Sequence, residues 1–521
     1  MKGDGRLLKR HAGKLICIYL GLYFIANLLF LDKFPFMHSD ESWLSGLTRA
    51  MMSNGLNSTE PFFDLLPRFP HAIKILFHIM QMPFILIFGY NIFSVRLVSL
   101  VFGVACLYLF YRLSLCFLKT DIKAFMITVV LSLDVQFIYA SHFARQEVII
   151  ASGILAVLYY IIRSADAWRV KKDLTAGIIT GLFIGIHPNS LIIAMCGGAL
   201  YFYFIFNRKI RVKNLLIYTG TVALMAAVFA GISFLFDGNF ITHYSMYGST
   251  MGVDQPLFDK IKELPLYYIK LFEQVSGTYY TPPIQFQLII FAVGAAASAV
   301  LSVFKKETLQ ILLPILAVNA GIILIGRYSQ PAVLFLFPLC YLVLFFALDS
   351  AIKKFSFIPA ILIGVAVFVH SVISVTPCLN NSYKEYLAKI RTAVPPGSRV
   401  LANLNAEYAF ENGYLLDYRN LEYLEAAGIS FKEYIYSRGI EYIVYPEEMD
   451  FIYESRPVWN IMYGNLYPYY GDMTRFFSSS CKQLNVFSSP YAMRIVQFSA
   501  NQDWKLRIYR VESEDADGNS F

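Results

Sequence analysis

The sequence predicts a polytopic α-helical membrane protein with a small α/β domain at its C-terminal end. Hydrophobic residues make up 57% of the 521 residues and charged residues only 15%, whereas soluble proteins contain about 25% charged residues. About eleven apolar runs reach the length of a bilayer span, which is about 20 residues and at least ~17. Residues 377–521 change character and alternate short strand-like and helical patterns. These observations exclude a soluble multidomain protein.

The predicted spans lie between charged or turn-forming segments. They are residues 15–31, 95–118, 124–140, 147–162, 174–186, 190–206, 214–236, 286–304, 309–326, 331–348 and 357–376. The fifth run is short and is broken by His187-Pro188-Asn189. Basic residues precede the first run and no small-residue cleavage site follows it, so we expect it to be retained as a span rather than removed as a signal peptide.

Loop charges predict the orientation, because basic residues gather on the cytoplasmic side of membrane proteins. With a cytoplasmic N-terminus, short inner segments collect basic clusters at 119–123, 163–172 and 208–213. An odd number of spans then places residues 377–521 outside the cytoplasm. These residues hold 14 basic and 18 acidic side chains, for a net charge of −4, which leaves +12 on residues 1–376. We expect a cytoplasmic-membrane protein whose basic balance requires no nucleic acid.

Two outer segments, 32–94 and 237–285, are longer than simple connections, and long structured loops are usually functional. Within the first, the apolar stretch 73–90 contains His78, Gln81 and Pro83. We expect this stretch to form a helix at the outer membrane interface rather than a span.

The C-terminal region, residues 377–521, reads as a separate outer α/β domain. Strand-like patterns occur at 399–404, 439–445 and 505–510, and helical patterns at 382–393 and 430–438. Cys378 and Cys481 both fall on the outer side, where a disulfide can form and persist. Nothing in the sequence decides whether they pair.

The sharpest candidate for chemistry is His38-Ser39-Asp40-Glu41, which follows the first span and leads into an amphipathic helix. Adjacent carboxylates at a membrane surface suit proton removal or cation binding. The structural alternative is a helix cap, in which Ser39 or Asp40 caps the helix and Glu41 interacts with its dipole.

Four further candidates fall at outer ends of spans. They are Arg68 before the interfacial stretch, Arg145 with Glu147 in the turn between the third and fourth spans, His187, and Arg327 before the tenth span. Each has a plain structural alternative: Arg145 and Glu147 can simply pair, and a lone arginine can extend to the interface. Their shared side favours an anionic, lipid-linked substrate, because arginine binds phosphate through its planar fork. No metal-ligand spacing occurs.

Six segments follow one another in an order that resembles a known family. They are DESWLSGLTRAMM (40–52), RFPHAIKILFHIMQMPFILIFGY (68–90), VRLVSLVFGVACLYLFYRL (95–113), ARQEVIIASGIL (144–155), GIITGLFIGIHPNSLII (177–193) and RYSQP (327–331). From about residue 10 to residue 350, their order and spacing resemble the membrane glycosyltransferases of the GT-C superfamily. The nearest branch is the protein O-mannosyltransferase and aminoarabinose-transferase group.

The resemblance implies an inverting glycosyltransferase that moves a sugar from a polyprenyl-phosphate donor to a lipid, glycan or protein acceptor. It implies domains at 1–376, with the Asp-Glu loop at 32–94, and at 377–521. Asp40 would be the base, with Glu41 beside it, either orienting the acceptor or capping the helix. The donor phosphate would contact Arg68, Arg145, Arg327 and His187, and Glu147 and His38 would position the acceptor. This branch implies no required metal or other cofactor.

Three departures from the family pattern concern the phosphate contacts. Arg68 and His187 stand where the family usually has lysine, and Phe69 interrupts the usual proline pair.

Two other classes of function stay open on sequence grounds. A flippase or other transporter of lipid-linked sugars is disfavoured, because many transporters show internal repeats and paired broken helices that are not evident here. A non-catalytic envelope scaffold would tolerate alanine at Asp40, Arg145 and Arg327 together.

Overall fold

The computed structural model describes residues 4–165, 167–275, 277–352, 357–494 and 503–512, with residues 4–12 described by their backbone only. The part before residue 380 is helical. Its helices are α1 (Asp4–Leu28), α2 (Ser39–Asn54), α3 (Ile75–Phe88), α4 (Ile92–Leu118), α5 (Asp121–Ser132), α6 (Val135–His142), α7 (Glu147–Ser164), α8 (Val170–Leu182), α9 (Ser190–Phe206), α10 (Val212–Phe236), α11 (Phe240–Thr250), α12 (Leu257–Phe272), α13 (Gln285–Ser302), α14 (Leu309–Ile325), α15 (Phe337–Ile352) and α16 (Phe357–Leu379).

Seven helical segments in the described ranges are long and apolar enough to cross a membrane, and the number is eight if the bent pair α5–α6 is one span. They are Ile92–Leu118, Glu147–Ser164, Val212–Phe236, Gln285–Ser302, Lys306–Ile325, Gln330–Ile352 and Phe357–Ala393. Gly13–Leu28 and Ser190–Phe206 are shorter apolar helices. All eleven runs read from the sequence fall on these helices or on α8, and the polytopic helical fold is confirmed.

The third run is not one straight helix, because Asp134 divides it. The Asp134 carboxylate accepts hydrogen bonds from the backbone N–H groups of Gln136 and Phe137 at 2.8 and 3.4 Å, and so caps α6. The axes of α5 and α6 differ by 68° at this point. The other carboxylate oxygen accepts from Tyr341 at 2.6 Å and Gln287 at 3.1 Å, which compensates this buried charge.

The segment before α4 folds back as two helices, α2 and α3. At 14 residues, α3 is one of the shorter apolar helices, and its place at the membrane interface stays a prediction. It packs on α2 through buried polar contacts: Thr48 is hydrogen-bonded to His78 at 2.8 Å and to Gln81 at 2.6 Å. These contacts hold α3 against α2.

The C-terminal region forms a mixed sheet flanked by helices. Its elements are α17 (Tyr383–Ala393), β1 (Val400–Ala402), β2 (Leu415–Asp417), α18 (Leu424–Ala427), α19 (Phe431–Ser437), β3 (Tyr442–Pro446), α20 (Glu448–Ser455), α21 (Leu466–Ser480), β4 (Cys481–Ser489) and β5 (Trp504–Val511). The strand order is β2-β1-β3-β5-β4; β1 is parallel to both neighbours, and β5 is antiparallel to both of its own. The small α/β element predicted for this region is confirmed. The thiols of Cys378 and Cys481 are unbridged.

The C-terminal region is docked on α2 and on residues 62–66 through specific polar contacts. Asn420 is fully buried, accepts hydrogen bonds from three backbone N–H groups at 64–66, and donates to the carbonyl of Phe62 at 2.9 Å. Arg49 on α2 pairs with the buried Glu407. These contacts fix the position of the C-terminal region relative to α2, where the sequence candidates lie.

Candidate active site

The N-terminus of α2 is anchored by Glu41. Its side chain is 0% exposed and accepts two hydrogen bonds from Arg96 at 2.7 and 2.8 Å. It also accepts from the backbone N–H groups of His38 at 3.1 Å and Ala144 at 3.0 Å. Of the two roles considered for Glu41, the geometry provides the cap: the carboxylate joins α2, α4 and the 143–146 turn. The N-cap residue is His38, rather than Ser39 or Asp40, and it forms a reciprocal capping box with Glu41: the His38 side chain accepts from the backbone N–H of Asp40, and Glu41 accepts from that of His38.

Asp40 lies next to this anchor, but it is accessible. Its side chain is 24% exposed. One carboxylate oxygen accepts hydrogen bonds from Arg145 at 2.8 Å and from the Tyr279 hydroxyl at 2.7 Å. The other lies 3.7 Å from His38. Asp40 is therefore a partly exposed carboxylate, one oxygen of which is held by Arg145 and Tyr279.

The charge state of Asp40 follows from its neighbours. Burial raises its pKa, but His38, Arg145, the Tyr279 hydrogen bond and Arg327 outweigh this effect and lower the pKa below its usual range. Burial lowers the pKa of His38 to about 4, so this imidazole is neutral near pH 7. The cations that keep Asp40 ionised at that pH are thus Arg145 and Arg327.

His38 is a buried positioning residue. Its Nδ1 accepts a hydrogen bond from the backbone N–H of Asp40 at 3.0 Å, which requires the proton to be on Nε2. Nε2 then donates to Thr278 at 2.9 Å, and the ring stacks on Tyr279 with centroids 4.5 Å apart. His38 therefore connects α2 to the 278–280 segment, which carries the hydroxyl that contacts Asp40.

Arg145 bridges two carboxylates. It contacts Asp40 through one terminal nitrogen and Glu147, at 3.0 Å, through the other. Its guanidinium carbon lies 4.9 Å from the centroid of the Tyr279 ring. One oxygen of Glu147 and the Nε of Arg145 are buried without a hydrogen-bond partner among the described residues. The pairing expected between Arg145 and Glu147 is present, and both groups retain unused bonding capacity.

Three cations lie within electrostatic range of His187. Lys74, Arg145 and Arg327 all act electrostatically on His187, whose pKa is lowered by burial first and by these charges next. The His187 imidazole is therefore neutral near pH 7 and can bond to an anion without adding charge. Sequence reasoning missed Lys74, the residue that precedes α3.

Arg68 lies against two aromatic rings. Its guanidinium carbon is 4.6 Å from the Trp43 ring centroid and 5.1 Å from that of Phe63. Arg419 of the C-terminal region approaches the same two rings at 4.5 and 4.9 Å. Arg494 acts electrostatically on Arg419 and on Asp40. Sequence reasoning missed both C-terminal arginines, because only tertiary docking brings them to α2.

An apolar cavity of about 680 Å³ lies between α12, α13, α14 and α15. Its lining includes Phe272, Phe291 and Ile315, together with Val333 and Leu336 from the segment that follows Arg327. The cavity can hold hydrocarbon. Two of its lining residues, Val333 and Leu336, follow Arg327 closely in the chain. Within the described part of the chain, no group of three or more His, Cys, Asp or Glu side chains could hold a metal ion.

Comparison with known proteins identifies the architecture. Residues 74–233 match the model of the dolichyl-phosphate-mannose-protein mannosyltransferase family. The structure superposes on ArnT from Cupriavidus metallidurans bound to undecaprenyl phosphate, with a TM-score of 0.54 and 9% identity over 95% of this chain and 98% of that one. The chain has a GT-C fold. Apo ArnT gives a TM-score of 0.56 at 10% identity over 96% and 98% of the two chains.

The Archaeoglobus fulgidus oligosaccharyltransferase in its apo form shares the GT-C fold, with a TM-score of 0.55 and 12% identity over 84% of this chain and 70% of that one. No curated protein matches the sequence. The resemblance to the GT-C superfamily inferred from the ordered motifs is thus confirmed. The family match, which begins at Lys74, supports a glycosyltransferase.

Proposed function

We propose that the protein is an inverting glycosyltransferase that moves a sugar from a polyprenyl-phosphate donor to a hydroxyl-bearing acceptor at the outer face of the cytoplasmic membrane. The observation that carries this proposal is Asp40, an accessible carboxylate held by Arg145 and Tyr279 within the field of several cations. A base beside phosphate-binding cations is what an inverting displacement on a sugar phosphate needs.

The donor is bound in two parts. Its phosphate contacts Arg145, Arg327 and Lys74, with a hydrogen bond from the neutral His187. Its prenyl chain occupies the apolar cavity beside Val333 and Leu336, so that the lipid runs from the cavity to the cation at Arg327. The undecaprenyl phosphate bound by ArnT supports a donor of this class.

Sugar transfer then proceeds as a displacement at the anomeric carbon of the donor. The acceptor oxygen attacks the anomeric carbon on the side opposite the phosphate, and its proton passes to Asp40. The bond between the anomeric carbon and the phosphate oxygen breaks with its electron pair on that oxygen. Arg145, Arg327 and Lys74 stabilise the phosphate charge as it develops. Glu147 holds Arg145 from the side away from Asp40.

Donor binding also activates the base. In the free protein Asp40 is a weak base, because Arg145 is its direct partner and lowers its pKa. A phosphate that engages Arg145 partly neutralises this cation, so the pKa of Asp40 rises towards its ordinary value. Proton removal from the acceptor is thereby favoured only when the donor is present.

Arg145→Gln tests this coupling through pH. In the wild-type enzyme the ionised Asp40 persists below the ordinary aspartate pKa of about 3.9, so kcat/KM has no acid limb from Asp40 above that pH. Removing Arg145 raises the Asp40 pKa, and the acid limb moves to higher pH. The measurement is kcat/KM for sugar transfer across the acid range, with Arg475→Gln, an exposed arginine of the C-terminal region, as the control. An acid limb unchanged in Arg145→Gln would contradict the pairing.

The proposed activity is tested in cells by mass spectrometry of envelope glycans, lipids and glycoproteins with and without the protein. The expected result is the loss of one sugar from a defined acceptor, restored by the wild-type gene and not by the Asp40→Asn variant. An identical envelope profile with and without the protein would overturn the proposal.

A further inference from the structure

Three arginines beside the proposed base have bonding capacity that the protein itself does not use. Arg68 Nε, Arg419 Nη2 and Arg494 Nε are buried, and none has a hydrogen-bond partner among the described residues. A buried N–H of a charged group that lacks an acceptor is destabilising, because the loss of its hydration is not compensated. Three such groups at one place point to a ligand that supplies the acceptors.

Two of the three guanidiniums share one pair of aromatic rings, and the third lies within electrostatic range of them. Arg68 and Arg419 lie over the same Trp43 and Phe63 rings, with all four distances between 4.5 and 5.1 Å. Arg419 is only 9% exposed. Burial, and next the charge of Arg419, lower the pKa of Arg494, which shows that these two cations lie close enough to repel each other.

Carboxylates near these arginines leave the three N–H groups unpaired. Asp417 accepts from Arg419 Nε at 2.6 Å but not from its Nη2, Glu448 accepts from the backbone N–H of Arg494 at 2.7 Å, and Glu60 accepts from Trp43 at 2.8 Å. The faces of Trp43 and Phe63 attract cations but accept no strong hydrogen bond. An oxyanion would satisfy the unpaired N–H groups.

These arginines border the proposed catalytic group from the side of the C-terminal region. Arg419 and Arg494 act electrostatically on His38, which caps the helix that carries Asp40, and Arg494 acts on Asp40 itself. Lys74, Arg145 and Arg327 act on His187, whereas Lys74 and Arg68 both act on His71. The proposed donor phosphate contacts Lys74, Arg145 and Arg327, which leaves Arg68, Arg419 and Arg494 without an assigned ligand.

We propose that Arg68, Arg419 and Arg494 bind an oxyanion of the acceptor, a phosphate or a carboxylate close to the hydroxyl that receives the sugar. This inference rests on the proposed function, because it assigns the other cation group to the donor. It gives the C-terminal region a specific role, in which Arg419 and Arg494 select acceptors that carry a negative charge. Neutral acceptors leave the three guanidiniums unpaired and bind more weakly.

The inference is tested by calorimetric titration of the full-length protein in lipid nanodiscs, with undecaprenyl phosphate already bound and the ionic strength held constant. Inorganic phosphate and glucuronate are the two anionic probes and distinguish a phosphate from a carboxylate site; glucose is the uncharged probe. We expect saturable binding of at least one anion and none of glucose. Arg494→Gln is expected to weaken that binding by about tenfold, the equivalent of one charged hydrogen bond.

Matched variants separate this site from the donor site. Arg68→Gln, in the segment between α2 and α3, is expected to weaken anion binding as Arg494→Gln does. It replaces Arg494→Gln in the test if that variant fails to fold. Arg475→Gln, on the exposed surface, leaves anion binding unchanged. Wild-type anion affinity in both Arg494→Gln and Arg68→Gln would overturn the inference. If Arg145→Gln leaves undecaprenyl phosphate binding intact while Arg494→Gln loses the anion, the donor assignment fails but the oxyanion site stands.

Discussion

Asp40→Asn is expected to lower the rate of sugar transfer by about 10²–10⁴-fold, the contribution of a positioned general base. Asparagine keeps the size of the side chain and can still accept hydrogen bonds from Arg145 and Tyr279, so the fold and the donor site are preserved. The loss should therefore appear in kcat, with little change in donor affinity. The measurement is single-turnover transfer from a polyprenyl-phosphate sugar by purified protein.

Asp32→Asn is the matched control for this variant. Asp32 has a similar side-chain exposure of 21% and also lies beside a cation, Lys384, at 3.3 Å. It takes no part in the proposed chemistry, so its replacement should leave transfer unchanged. Near wild-type turnover in Asp40→Asn would remove Asp40 from the mechanism. An equal loss in both variants would show that the effect is a general consequence of removing an outer-face charge.

Glu41→Gln is expected to have the largest effect on stability. The Glu41–Arg96 pair is fully buried, and breaking such a pair from one side costs about 3–5 kcal/mol because the remaining charge is left without its partner. Glutamine also disturbs the contacts to His38 and Ala144. The apparent unfolding temperature in detergent should fall clearly below that of the wild-type protein.

Two further variants make this prediction specific. Glu385→Gln removes an exposed carboxylate paired with Lys389, and a surface pair contributes at most about 1 kcal/mol, so the unfolding temperature should hardly change. In the double variant Glu41→Gln with Arg96→Met, the buried cation is also gone, and part of the lost stability should return. If Glu41→Gln unfolds like the wild-type protein, Glu41 is not the anchor of α2.

The membrane part was largely predictable, because its signal is local. Apolar runs between charged loops are visible in the sequence, and each of them became helix. The break at Asp134 was not predicted. This one acidic residue in an apolar run caps a new helix, and the helix axes differ by 68° there. The cost of burying its carboxylate is offset by hydrogen bonds from Tyr341 and Gln287, which are far away in sequence and could not be anticipated.

The candidate site was predictable in part for the same reason. The motif order located Asp40, Arg145 and Arg327, and both arginines act electrostatically on the Asp40 carboxylate. The motif order did not distinguish the roles of Asp40 and Glu41, because Glu41 pairs with Arg96, which lies fifty-five positions later in the chain. Arg419 could not be found at all, because only docking of the C-terminal region brings it onto Trp43.

The release of polyprenyl phosphate by purified protein in proteoliposomes tests the proposed function most directly. The vesicles contain a polyprenyl-phosphate sugar, and an extract of envelope acceptors is added on the side that carries Asp40. We expect free polyprenyl phosphate and glycosylated acceptor to form in equal amounts with the wild-type protein, and neither to form with Asp40→Asn. Movement of intact lipid-linked sugar between the leaflets with no release of polyprenyl phosphate would contradict sugar transfer and favour a transporter.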